Sequence, residues 1–377
     1  MRARSIAIVA AAITASAIVP AASSSALTLT PTDPHRQCAW PIVYPGVGDG
    51  NYAFPDTNAA YFVQAAILDP GDRIIISGTD PKARYWSMQT YRFSTSSLLD
   101  SVNDVTVKAK GKAPKRTWTI TVAPATEDKS KDPNVLSAAV WDGTPLSNVT
   151  VIMFRVYVSA TAGSAGGALP TVTLKSASGT KPLTKKLAGC QGDQVGPPEN
   201  RPVLEPLVGA TARFARGDAD SVYPSADTAY LGAQQAFDPN AILVVSGKAP
   251  RTRTDVRYWS LCQNVNAGTL PVVDCIRDDQ VHLDAKGFFH IAVVAPGQIT
   301  DEFDYRGVNF LDWSVESTSA LPDAFLLYRN VLPSKNFAGA VSRVPLNGYA
   351  DEHIGDYAPR ITMMPIAEFE AKYRTAS

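Results

Sequence analysis

Three observations predict an all-β protein made of two tandem, homologous β-sandwich domains of jelly-roll type, closed by a short C-terminal helix. Short β-branched segments bounded by Gly, Pro or Asp recur along the chain. One order of sequence blocks is written twice at a nearly constant spacing. Near the C-terminus, Pro365 is followed by Ile366, Phe369 and Tyr373, a helical stripe behind a first-turn proline.

The composition is compatible with this and excludes several other classes. The 377 residues are 45% hydrophobic and 19% charged, with 28 Pro and 25 Gly. Such a chain is too apolar to stay disordered and has no collagen, coiled-coil or multi-span membrane pattern. Lys+Arg 35 and Asp+Glu 35 cancel, so the cationic footprint of a nucleic-acid binder is missing and no nucleic-acid partner is expected.

At the N-terminus, Arg2 and Arg4 precede an apolar run from Ile6 to Val19, and small residues follow through Ala26. This layout predicts a secretory signal over residues 1–26, cut after Ala26 with Ser24 at the minus-three position. The run is shorter than the ~20 residues of a spanning helix, so no membrane span is expected after the signal is removed. Export would place Cys38, Cys190, Cys262 and Cys275 where oxidation is permitted. Four cysteines allow three pairings. Cys262 and Cys275 flank a turn-like stretch from Asn264 to Pro271, so they are expected to staple a hairpin, leaving Cys38 with Cys190. A zinc site is the alternative, but no C-x-x-C or paired-histidine spacing supports it.

Next comes the repeat. Residues 55–78 align without a gap to residues 224–247, with seven identities: Pro55/Pro224, Ala60/Ala229, Tyr61/Tyr230, Asp69/Asp238, Pro70/Pro239, Ser77/Ser246 and Gly78/Gly247. Arg84-Tyr85-Trp86-Ser87 then recurs as Arg257-Tyr258-Trp259-Ser260, Val122-Ala123-Pro124 as Val294-Ala295-Pro296, and Phe154-Arg155 as Tyr328-Arg329. Blocks in the same order imply duplication of a whole domain. The expected layout is a first sandwich over 27–187, a Pro/Gly-rich linker over 188–206, and a second sandwich with the helix over 207–377. The first copy carries a basic excess and the second an acidic one. Strands are expected at Arg73–Ser77, Thr117–Val122, Val149–Phe154, Ala241–Val245 and Ile291–Val294, whereas residues 57–68 and 228–237 suit a strand or a helix.

The order P-x-x-D-T-x-Y, R-Y-W-S, an apolar strand, W, and Y-R-N-x-L-P resembles a pair of bacterial domain-of-unknown-function families, often fused, that build jelly-roll β-sandwiches. The second copy carries it best, through Pro224, Asp227, Thr228, Tyr230, Arg257 to Cys262, Asp274-Cys275, Trp313, Tyr328-Arg329-Asn330, Pro333 and Gly355-Asp356-Tyr357. The first copy has Asn58-Ala59 in place of Asp227-Thr228. The resemblance implies the fold and no settled activity.

Candidate chemistry rests on the shared polar residues. Arginine within apolar strands is costly to desolvate and needs a carboxylate, a carbonyl or ligand oxygens around it. One reading pairs Asp227 with Arg257 or Arg329. The other makes Asp227, Thr228, Tyr230, Arg257, Trp259 and Arg329 a binding site for a polar or anionic envelope ligand, gripped by bidentate hydrogen bonds. Trp86 and Trp259 suit either a core or a sugar-stacking platform. His282 and His290 flank the turn Asp284–Gly287, and His353 sits in the acidic stretch from Asp351 to Asp356. No G-x-S-x-G elbow, phosphate loop, zincin motif or dinucleotide fingerprint occurs. The expectation is therefore a secreted, monomeric or weakly associating binding or scaffold module, extracellular or at the cell envelope, without cofactor or metal. The alternatives are a hydrolase of glycans or esters using Asp227 or the 351–356 cluster, and a purely structural exported protein.

Overall fold

In a computed structural model, residues 38–44, 51, 53–125, 132–177, 183–190, 212–217, 223–265, 270–299, 302–313 and 324–375 are described. The expected signal, residues 1–26, and most of the expected linker lie outside them. The chain divides into two compact units. Unit 1 is Met1–Gly50, Ala59–Pro202 and Asp220–Ala226; unit 2 is Asn51–Asn58, Val203–Ala219 and Asp227–Ser377.

Unit 1 contains β1 (Ile42–Tyr44), β2 (Ala59–Ile67), β3 (Arg73–Thr79), β4 (Ala83–Arg92), β5 (Leu98–Asn103), β6 (Ala109–Lys110), β7 (Thr117–Pro124), β8 (Val135–Ala138), β9 (Val149–Ser159), β10 (Thr171–Ser176) and β11 (Leu183–Lys186). One sheet runs β1-β2-β9-β4-β5 and the other β11-β10-β3-β7-β6, with β8 parallel to β7. Their facing sides share one core, in which Phe62, Met88, Ile152 and Phe154 meet Ile74, Ile76, Trp118, Ile120 and Val172. Cys38 and Cys190 are disulfide-bonded, and the Ala39 amide donates to the Ala188 carbonyl beside the bond.

Unit 2 contains β12 (Thr228–Gln235), β13 (Ala241–Lys248), β14 (Tyr258–Asn264), β15 (Val272–Arg277), β16 (Phe288–Val294), β17 (Asn309–Asp312), β18 (Ala324–Val331), β19 (Arg360–Pro365) and the helices α1 (Ala350–His353) and α2 (Ile366–Tyr373). Its sheets run β12-β18-β14-β15 and β17-β16-β13-β19, with β17 parallel to β16. The order β2-β9-β4-β5 of unit 1 thus reappears as β12-β18-β14-β15. Likewise β10-β3-β7, with its parallel neighbour β8, reappears as β19-β13-β16 with β17.

The segments left open between strand and helix, 57–68 and 228–237, are strands here, because each finds a long antiparallel partner: β9 for β2 and β18 for β12. The apolar run of β13 is buried on both sides. Leu243 and Val245 face the intersheet core, while Ile242 and Val244 face a second cluster containing Phe369 and Tyr373 of α2. That double cover is why β13 lacks polar alternation. Cys262 and Cys275 sit directly opposite each other on β14 and β15 and are disulfide-bonded.

Candidate functional site

Arg329 lies within β18. Its ladder partners are Tyr230 on β12 and Ser260 on β14, so the three side chains stand in one row on one face. The neighbouring residues Tyr328, Leu231, Trp259 and Leu261 point the other way, into the intersheet core. In unit 1 the same row is Tyr61, Arg155 and Ser87.

Residues 51–58, which belong to unit 2, supply what the arginine needs. Asp56 has no solvent exposure, and its Oδ2 lies 2.8 Å from Arg329 Nη1, itself 2% exposed. The Tyr258 and Ser260 hydroxyls both donate to the same oxygen at 2.8 Å. The other oxygen takes the Asn58 amide at 2.9 Å and the Asn58 side chain at 3.1 Å. Arg329 also donates to Cys262 Sγ at 3.1 Å and the Phe54 carbonyl at 3.2 Å, and its guanidinium lies 5.8 Å from the Tyr230 ring centre. Asn51 completes the attachment: its side chain donates to the Val272 carbonyl and accepts from the Val272 amide, as a neighbouring strand would.

Burial alone would raise the Asp56 carboxyl. The Arg329 charge and the Asn58, Arg329 and Tyr258 hydrogen bonds outweigh it, and the net displacement is downward. Burial and the Asp56 charge push the Tyr258 hydroxyl well above its ordinary range, so Tyr258 is a fixed donor. One Asp56 carboxylate oxygen and the sulfurs of Cys262 and Cys275 lie within 4.8 Å of one another. With the sulfurs bonded to each other, they offer a metal no thiolate.

The sequence-selected residues fall into three places. Tyr230 and Arg329 are brought together. Asp227 and Arg257 flank the end of β18, where the Leu332 amide donates to the Asp227 carbonyl and the Arg257 amide to the Val331 carbonyl. Thr228 begins β12 one step inward, opposite Val331. Trp259 is in the core, 1% exposed, with its indole N–H on the Pro250 carbonyl and its ring 5.3 Å from Phe289. Trp86 likewise stacks on Trp118 at 4.7 Å. The carboxylate that pairs with Arg329 is Asp56 where Asp227 was expected, and its one sign in the sequence is the negative charge that an embedded arginine demands.

Elsewhere in unit 2, Arg213 donates to Asp351 at 2.6 Å and to Glu352 at 2.9 Å, and lies 3.9 Å from the Tyr349 ring centre. The Arg213 hydrogen bond and charge hold the Asp351 carboxyl below its ordinary value. The His282 and His290 carbonyls both accept from Asn309, while the His290 ring turns to Ser246, with Nδ1 2.8 Å from its hydroxyl.

No family model and no curated protein matches the chain. Among solved structures, an uncharacterized protein from Burkholderia cenocepacia superposes with a TM-score of 0.51 at 12% identity, covering 88% of this chain and 83% of its own. A Vibrio parahaemolyticus protein gives 0.44 at 12% identity, covering 82% of this chain and 89% of its own. The first likeness bears on the fold alone.

Proposed function

We propose that this chain is an exported β-sandwich module that binds or scaffolds at the cell envelope, with Arg329 as framework and Asp227 and Arg257 as its ligand contacts; the Thr228 hydroxyl is buried. The observation that carries this reading is the saturation of Asp56. Its oxygens take five hydrogen bonds or ion-pair contacts inside unit 2, which leaves the Arg329 centre closed to a ligand. Arg257 and Asp227 sit instead at a strand end and are only partly buried, where a polar or anionic group has access. Two disulfides among the described residues suit an oxidising compartment.

Co-sedimentation of the purified protein with insoluble cell-wall material tests it. Arg257→Ala should lower the bound fraction several-fold and move the melting temperature little, as partly exposed substitutions change stability by about 0.5 kcal/mol. Unchanged retention, or a melting point several degrees lower, would assign Arg257 to the framework.

A further inference from the structure

The outer face of the β17-β16-β13-β19 sheet carries a second polar group, remote in sequence from the Asp56–Arg329 pair. Ser246 on β13 stands opposite His290 on β16 and opposite Arg360 on β19, so one cross-strand row reads His290, Ser246, Arg360. Directly opposed residues share a face. Val245 and Ile291, their neighbours in sequence, point into the core, so the row lies on the sheet's other face, which α2 partly covers, with the Tyr373 ring 6.1 Å from that of His290. Ser246 Oγ lies 2.8 Å from His290 Nδ1, and His290 Nε2 lies 3.7 Å from Asp284 Oδ2. Asp284 is fixed by the turn before β16, because its other oxygen accepts the Lys286 and Phe288 amides, each at 2.8 Å.

From this geometry we propose that Ser246, His290 and Asp284 form a nucleophilic relay that cleaves small carboxylic esters bearing an anionic group. The Asp284 carboxylate favours the tautomer with hydrogen on Nε2, which leaves the Nδ1 lone pair to accept the Ser246 proton. Burial and the charge of Lys372 at the end of α2 hold the imidazole pKa below its ordinary value against the opposing pull of Asp284. The ring is therefore neutral at pH 7, with one unprotonated ring nitrogen. Ser246 is partly exposed, His290 is 22% exposed at its side chain and Asp284 36%, so a solute reaches all three. Arg360, exposed on β19, and Lys372 supply the positive charge that an oxyanion or substrate carboxylate requires. An anionic substrate fits this cationic, partly exposed row better than a long apolar acyl chain.

The step balances without a co-reactant. Ser246 Oγ attacks the ester carbonyl carbon as its proton passes to His290 Nδ1. The tetrahedral intermediate collapses, the carbon–alkoxide bond breaks, and the leaving alcohol takes the proton back from His290. Water then attacks the acyl-serine, giving its proton to His290; the acyl–Oγ bond breaks, His290 returns the proton to Ser246 Oγ, and the carboxylic acid leaves. The serine lies on a ladder strand rather than on a strand-to-helix turn, so motif searching passes over it.

A biotinylated fluorophosphonate, followed by intact mass and peptide mapping, is the test. Fluoride leaves, and a single adduct on Ser246 is expected. Ser246→Ala should abolish it, and His290→Gln should slow it about 100-fold, the low end of a general-base contribution. Mono-4-nitrophenyl glutarate should be cleaved faster than 4-nitrophenyl acetate, an advantage lost in Arg360→Gln. Melting curves confirm that each variant is folded. No adduct, an adduct elsewhere, or equal labelling in Ser246→Ala would overturn the relay; equal cleavage of the two esters would overturn the anionic preference.

Discussion

Asp56 is a fully buried carboxylate of unit 2. A fully buried charge persists only with an opposite charge and filled hydrogen-bonding sites, and Arg329, Tyr258, Ser260 and Asn58 supply both. Asp56→Ala leaves Arg329 charged and uncompensated. It should destabilise unit 2 by about 3–5 kcal/mol, measured as a lower urea midpoint. The double variant Asp56→Ala with Arg329→Met should regain most of that loss, because an apolar pair replaces the ionic one. A single variant as stable as the parent would contradict the charge argument. The pH dependence has the same origin. The folded Asp56 pKa lies below its unfolded value of about 3.9, so its contribution is complete above that value and disappears as pH falls through the folded pKa. Asp56→Asn should flatten the acid limb of the stability profile. Tyr230 and Arg329 were legible because the sequence blocks that carry them recur with Tyr61 and Arg155. Asp56 was not, because it lies 202 residues from its partner Tyr258 and its counterpart by the repeat alignment is Ser225, which has no carboxylate.

The helix α2 shows how far an element can be read in advance. The stripe of Ile366, Phe369 and Tyr373 marked a helix with one apolar face, and Phe369 and Tyr373 are buried against Ile242, Val244, Ala292, Tyr305 and Met364. Truncating the fully buried Phe369 to Ala should cost about 3–5 kcal/mol. Amide exchange should then accelerate in α2 and the adjoining β13; acceleration in α2 alone would mean that the helix does not hold the sheet. For β2 and β12 the local signal was ambiguous, since their alanines and glutamines suit a helix as well. Partners decided: residues with long antiparallel neighbours on β9 and β18 satisfy their backbone groups in a ladder. Ser246 and His290 lie 44 residues apart, and only the β13–β16 register sets them face to face. Nothing in the local pattern of either strand records that register.

At the scale of the whole molecule, each unit has its own intersheet core and its own disulfide. The Cys38–Cys190 bond closes a separation of 152 residues and Cys262–Cys275 one of 13. By loop entropy the first stabilises by about 5 kcal/mol and the second by about 3. Paired Cys→Ala replacements should follow that order in denaturation midpoints, and a reversed order would mean that loop closure is not the controlling term. The sequence by itself determined the strand-rich class, the C-terminal helix, the cysteine pairing and the recurrence of a Tyr–Arg–Ser set, because each is written in local periodicity, turn chemistry or spacing. Only the tertiary structure decided that Asp56 completes unit 2, that Trp259 faces the core and Arg329 the opposite side, and that Ser246 meets His290. Those facts depend on which strands become neighbours and in what register, and long-range pairing of that kind leaves no local trace in the chain.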